Sequence, residues 1–118
     1  MAVADRIPQL LETRRPWLTD GGLETDMVFN HGVDLPWFAS FTMLEDQAKR
    51  ALLESYFTRY LELAEEAGAG FVLDTCTWRA GQAWLERIGL AADLDRINTD
   101  AVDFCKSIRD RFETPDRP

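Results

Sequence analysis

The stretch Leu18-Thr19-Asp20-Gly21-Gly22-Leu23-Glu24-Thr25 is the one around which the chain is organised. An apolar run reaches Leu18, gives way to an acid and two glycines, and a polar segment follows. A carboxylate at the end of a strand, beside glycine backbone that a ligand can approach closely, suits a small ammonium compound. The same Asp-Gly pair is also a common surface turn. The neighbouring segments have to decide between the two.

Working outward, Trp17-Leu18-Thr19 reads as a short buried strand leading into Asp20. Upstream, Ile7, Leu10 and Leu11 fall at helical spacing and Pro16 ends the pattern, so residues 1–15 read as a short amphipathic helix. Arg14-Arg15 is its solvated end, favoured by the helix dipole. Downstream, residues 26–41 mix Met27-Val28-Phe29, Asn30-His31-Gly32 and Pro36-Trp37-Phe38. They read as an irregular loop with one short helical turn, folded across its own aromatics. His31 lies between Asn30 and Gly32 and reads as a turn residue, with no second ligand or nucleophile beside it.

Thr42-x-x-Glu45 has the form of a capping box and opens a helix that meets no Gly or Pro before Ala67. Ala48, Leu52, Tyr56 and Leu63 fall near one face, with Leu53, Phe57, Leu61 and Ala64 alongside, a broad stripe suited to packing on a sheet. Tyr56 and Tyr60 read as packing and rim residues. Gly68 suits the left-handed residue that stops the helix. Phe71 to Trp78 begins as a continuous apolar run, as expected of a parallel strand buried on both faces. Its polarity rises towards the carboxyl end, where α/β folds bind ligands. Asp74 inside such a strand needs a partner or a proton, or serves structurally through bonds to neighbouring strands. Ala80 to Arg87 reads as a short helix closed near Gly89. Leu90 to Phe112 reads as a long amphipathic helix facing inward through Leu94, Ile97, Ala101, Phe104, Cys105 and Ile108. Glu113 to Pro118 reads as a linker-like tail.

A hydrophobic fraction of 46% with 29% charged residues predicts a packed core rather than disorder. The net charge of -8 disfavours nucleic acid and anionic membrane surfaces as partners. Asp5, Arg6 and Pro8 interrupt any signal-peptide pattern, and no stretch approaches the roughly 18 apolar residues of a membrane span. A soluble cytoplasmic protein is expected. Cys76 and Cys105 read as reduced thiols, with a disulfide the alternative in a secretory setting. With His31 the only histidine and no CxxC, the chain offers no Cys/His ligand set.

The order strand, long helix, strand, helix predicts an α/β fold with a parallel sheet and right-handed crossovers. Two strands do not complete such a sheet, whose faces both need cover, so further strands are expected around this unit.

Residues 18–25, together with Asp34-Leu35-Pro36-Trp37-Phe38-Ala39-Ser40-Phe41 and Phe71-Val72-Leu73-Asp74-Thr75-Cys76-Thr77-Trp78-Arg79-Ala80, resemble the opening third of the homocysteine S-methyltransferases. The resemblance runs from about Trp17 to the C-terminus, with the Glu66 to Ala69 helix end between its blocks. That family includes betaine-, S-methylmethionine- and folate-dependent enzymes. It implies a zinc-dependent (β/α)8 TIM barrel, of which this chain covers the first two βα units plus an N-terminal helix. Residues 1–15 become an N-terminal helical extension and 16–118 an incomplete N-terminal part of the barrel domain.

The implied chemistry is attack of a zinc-bound homocysteine thiolate on the methyl group of an onium or folate-type donor, giving methionine. Homocysteine and a methyl donor are the implied partners. Asp20 would hold the substrate ammonium, with Gly21 and Gly22 admitting backbone close to it. Thr75, Thr77, Trp78 and Arg79 match the segment that lines the pocket after the second strand, with Trp78 a wall against the thioether or an onium methyl. Arg79 stands where the family often has tyrosine or glutamine. The family's three zinc cysteines lie on later strands and match neither Cys76 nor Cys105. The metal ligands are therefore expected outside this chain, and the 118 residues alone are expected to be inactive. The alternative is a non-catalytic amino-acid-binding or dimerisation module, self-associating through unfinished sheet edges.

Overall fold

The computed structural model describes Glu12 and residues 14–118. The helix expected over residues 1–15 lies outside the described residues, apart from Glu12, Arg14 and Arg15. Two three-residue strands, β1 (Trp17–Thr19) and β2 (Gly70–Val72), run parallel, with Trp17 opposite Gly70, Leu18 opposite Phe71 and Thr19 opposite Val72. Parallel neighbours need a long crossover. Helix α1 (Leu23–His31), two 3-10 turns (Pro36–Phe38 and Ser40–Glu45) and helix α2 (Gln47–Ala67) supply it. After β2 come α3 (Gln82–Ile88), a 3-10 turn (Ala91–Asp93) and α4 (Leu94–Phe112). The fold is mixed, mostly helical, with a small parallel sheet, and it matches the expected order of strand, long helix, strand, helix.

The core lies between α2, α4 and the turn Ser40–Glu45. Phe41, Met43, Leu53, Phe57, Leu85, Ile97 and Ile108 are essentially sealed from solvent. Burying each such side chain stabilises the fold by about 1.5–3 kcal/mol relative to leaving it in water. Phe57 of α2 meets Phe104 of α4 with ring centroids 6.2 Å apart, and Arg50 bridges the same helices to Asp100 at 3.0 Å. The inward stripe of α4 is as expected: Ile97, Ala101, Phe104, Cys105 and Ile108 are all buried. Gly68 and Gly89 end α2 and α3 in left-handed backbone, with φ of 64° and 84°. Glycine adopts that conformation without a Cβ clash, which is why it stops helices.

Several expectations change. Residues 23–31 form a helix where a polar segment and an irregular loop were expected. Only Leu23 and Met27 of α1 are buried and Phe29 is 74% exposed, so no apolar stripe marks the helix in the sequence. Thr42 does not cap α2. Its hydroxyl donates to the Ala39 carbonyl at 2.7 Å within the 3-10 turn, and Asp46 caps the helix by accepting from the Lys49 N–H at 2.9 Å. The second strand stops at Val72 instead of reaching Trp78, and residues 73–81 form an irregular loop with a turn at Trp78-Arg79. Asp74 therefore stands exposed outside the sheet, and the problem of an acid buried in a strand does not arise. Neither strand is buried on both faces: Leu18 is 36% and Val72 37% exposed. The cause is that, among the described residues, the sheet has only two strands.

The tail is also tied down. Thr114 and Arg117 form an antiparallel bridge, the Phe71 N–H donates to the Pro118 carbonyl at 3.3 Å, and Arg117 pairs with Glu65 at 2.8 Å.

Candidate functional site

Because β1 and β2 are parallel, their carboxyl ends deliver two loops to the same end of the molecule: Asp20-Gly21-Gly22 after β1 and residues 73–81 after β2. Asp20, Gly21, Gly22, Leu23, Glu24, Asp74, Thr75 and Trp78 line one open cleft between them. Five of the seven residues singled out in the sequence are in that lining. The sixth, Thr77, sits against it through a hydroxyl contact of 2.7 Å with Thr75. The seventh, Arg79, lies behind Trp78 with its guanidinium carbon 3.7 Å from the indole centroid.

The backbone geometry explains the lip. Gly22 has φ of 68° and forms the N-terminal boundary of α1, so the chain turns from strand to helix within three residues of Thr19. A Cβ at Gly21 or Gly22 would meet nothing within 4 Å, so both glycines leave open space beside Asp20. Asp20 is half-buried. Burial pushes its carboxyl above the ordinary range, and the charges of Asp74 and Glu24 push the same way. A hydrogen bond from the Tyr56 hydroxyl to Asp20 Oδ2, at 2.9 Å, opposes that rise. Glu24, in the first turn of α1, accepts a 2.9 Å bond from the hydroxyl of the buried Ser40. Among the described residues no cation pairs with Asp20, Glu24 or Asp74. Carboxylates gathered in this way repel one another and give the cleft a negative potential, which favours cations.

Behind Trp78, outside the cleft lining, aromatic rings and guanidinium groups alternate. Arg79 lies between Trp78 at 3.7 Å and Trp84 at 4.0 Å, and Arg87 approaches Trp84 at 5.4 Å and Trp37 at 5.6 Å. Trp37 sits in left-handed backbone with φ of 55°, followed by Phe38 at 59°, a conformation that costs non-glycine residues about 1–2 kcal/mol each. The Arg79 Nε is buried without a hydrogen-bond partner among the described residues, so stacking is what holds this side chain. One face of Trp78 is thus taken by a guanidinium, which draws on the same π density an onium methyl would use.

Sequence reasoning passed over Glu24 and Tyr56 as parts of this site, and weighed Asp74 without deciding between a partnered and a structural acid. Glu24 was visible four residues after Asp20 in the same motif. The Tyr56 contact spans 36 residues and leaves no local signal. Tyr56 is a packing residue as expected, with 7% exposure, and it also bonds to Asp20. His31 ends α1, 3.4 Å from Asp26, away from the cleft lining.

The two thiols are free and buried. Burial pushes Cys76 up to about 12 and Cys105 up to about 11, so both are neutral thiols near pH 7. No group of three or more His, Cys, Asp or Glu among the described residues could hold a metal ion. The donor set present does not fit zinc. No helix among the described residues is long and apolar enough to cross a membrane.

A parallel βα pair with a cleft at its carboxyl ends is compatible with a fragment of an α/β fold, the class that places ligand sites outside the carboxyl ends of its strands. The chain matches the homocysteine S-methyltransferase family model over residues 17–117. It belongs to that family, whose members are generally zinc-dependent. No curated protein and no solved structure matches it.

Proposed function

We propose that this chain carries the amino-acid-holding part of a homocysteine S-methyltransferase, built as the first two βα units of a (β/α)8 barrel. In the reaction, the homocysteine sulfur, as the thiolate after its proton has passed to solvent, attacks the methyl carbon of the donor. The S–CH3 bond forms, the donor–CH3 bond breaks with its electron pair left on the donor, and methionine results. Asp20 accepts the substrate ammonium, Gly21 and Gly22 let the ligand lie against backbone, and Thr75 and Thr77 offer hydroxyls. Trp78, 62% exposed, offers an aromatic wall on one side, with Arg79 bracing its ring. The described residues hold no cluster of metal ligands, and this chain's share of the work is recognition and positioning.

What carries the reading is the convergence of Asp20-Gly21-Gly22 with Thr75 and Trp78, more than 50 positions apart, on one cleft at the carboxyl ends of paired strands. Calorimetric titration of the chain with L-homocysteine tests it. The unsubstituted protein should bind saturably, and Asp20→Asn should weaken binding on the order of 10- to 100-fold. No saturable binding, or equal binding by the variant, would overturn the reading.

A sheet of two strands with Leu18 and Val72 each more than one-third exposed supports a second reading, a module that associates with another βα unit. Sedimentation equilibrium separates the two: a monomer at micromolar concentration argues against self-association.

A further inference from the structure

The Asp20 carboxylate has one side-chain donor among the described residues, and it comes from the opposite side of the crossover. Tyr56 Oη lies 2.9 Å from Asp20 Oδ2 and also 2.9 Å from the Gly21 carbonyl oxygen. Both of those atoms are acceptors, and a phenol has one hydrogen to give. Tyr60, one helical turn further along α2, donates to the same Gly21 carbonyl at 3.1 Å. The hydroxyl of Tyr60 satisfies Gly21, which leaves the Tyr56 hydrogen for Asp20. The two rings are held in place by each other, with centroids 5.1 Å apart, and by Phe57, 5.1 Å from Tyr56 on the core side.

We propose that Tyr56 is a positioning residue for Asp20: its hydroxyl fixes one carboxylate oxygen and keeps the group ionised as the ammonium acceptor, while Tyr60 keeps that hydroxyl aimed. The proposal rests on the homocysteine-binding reading of the cleft and names what orients its main contact. Asp20 needs such a donor. It is half-buried, and it shares the cleft with Glu24 on α1 and Asp74 beyond β2, both of which disfavour its charge. Tyr56 is suited to the role because burial, reinforced by the adjacent carboxylate, drives its hydroxyl far above the ordinary phenol range. It therefore remains a protonated donor through the neutral range.

The decisive measurement is the titration of the Asp20 side-chain carboxyl by 13C NMR on the full chain, assigned with Asp20→Asn. Tyr56→Phe keeps the ring and removes only the hydroxyl. It should melt cooperatively, raise the Asp20 midpoint, and bind L-homocysteine about ten-fold more weakly. Tyr60→Phe should raise the midpoint by less, because the Gly21 carbonyl then competes for the Tyr56 hydrogen. An unchanged Asp20 midpoint in folded Tyr56→Phe overturns the proposal, since a purely packing role would leave the titration alone. If Tyr56→Phe loses its cooperative melt, the Tyr60→Phe midpoint decides: a rise supports the proposal and no change defeats it. A midpoint that rises as expected in a chain that binds no homocysteine would count against the substrate reading while upholding the Tyr56–Asp20 device.

Discussion

At the carboxyl ends of β1 and β2, Asp20, Glu24 and Asp74 share a cleft with no cation paired to any of them among the described residues. At the amino ends of the same strands, the charges are matched. Glu65 meets Arg117 at 2.8 Å, Glu113 meets Arg109 at 3.6 Å, and these groups rim an apolar hollow formed by Leu61, Ala64, Phe71 and Phe112. The Pro118 carbonyl accepts the Phe71 N–H there, so backbone is satisfied along with side chains. One end resolves its polar groups internally and holds the strands together. At the other, Asp20 and Glu24 accept hydroxyl bonds from Tyr56 and Ser40, but no cation among the described residues pairs with any of the three acids. Carboxylates that repel one another lower stability, and acids perturbed in this way cluster at functional sites.

Three experiments strain that contrast. The largest effect is expected at the paired end from Gly70→Ala. A Cβ there would stand 2.7 Å from the Trp17 ring, and a rigid indole cannot yield without disturbing the strand register. A loss of about 1–3 kcal/mol in denaturant unfolding is expected. A loss below about 0.5 kcal/mol would mean that strand pairing contributes little to holding this end together.

The next effect comes from the thiols beneath the open end. Cys105 Sγ donates to the Asp74 carbonyl at 3.7 Å, and the Cys76 carbonyl lies 3.5 Å from the Ser40 hydroxyl, so both cysteines tie the lip to the core. Burial raises Cys76 from 9.0 to about 12 in the folded chain. A raised thiol contributes stability that is complete below the unfolded value and is lost as pH climbs towards the folded one. Unfolding free energy should therefore fall by on the order of 2 kcal/mol between about pH 9 and pH 11, and Cys76→Ala should flatten that slope. An equally steep decline in the variant would assign the alkaline loss to other groups.

The smallest change is expected from Arg117→Ala. Glu65 is about half exposed, and solvent-screened pairs contribute less than about 1 kcal/mol. A larger loss would show that the tail bridge, rather than the ion pair alone, depends on that arginine.

The candidate site was legible to unequal depth. Asp20, Gly21 and Gly22 stand out because an acid and two glycines after an apolar run are a local pattern, whereas Thr75, Thr77, Trp78 and Arg79 were picked out by the family resemblance, in a segment whose polarity rises past an apolar run. Their convergence follows from parallel pairing. Tyr56 and Ser40 were hidden. A tyrosine on an apolar stripe looks the same whether or not its hydroxyl reaches a carboxylate, and Ser40 gives no sign in the sequence of its bond to Glu24.

The amino-acid sequence by itself determined the alternation of strands and helices, the helix stops at Gly68 and Gly89, the inward face of α4 and the place of the Asp-Gly-Gly lip. Each of these depends on periodicity or on backbone freedom within a few residues. Only the tertiary structure decided that residues 23–31 coil into α1, that Asp46 rather than Thr42 caps α2, and that β2 stops at Val72. It also decided that the tail folds onto β2 and that two tyrosines of α2 close on Asp20 and Gly21. Those outcomes depend on which groups meet across tens of residues, and contacts of that range are set by how the helices pack against the sheet.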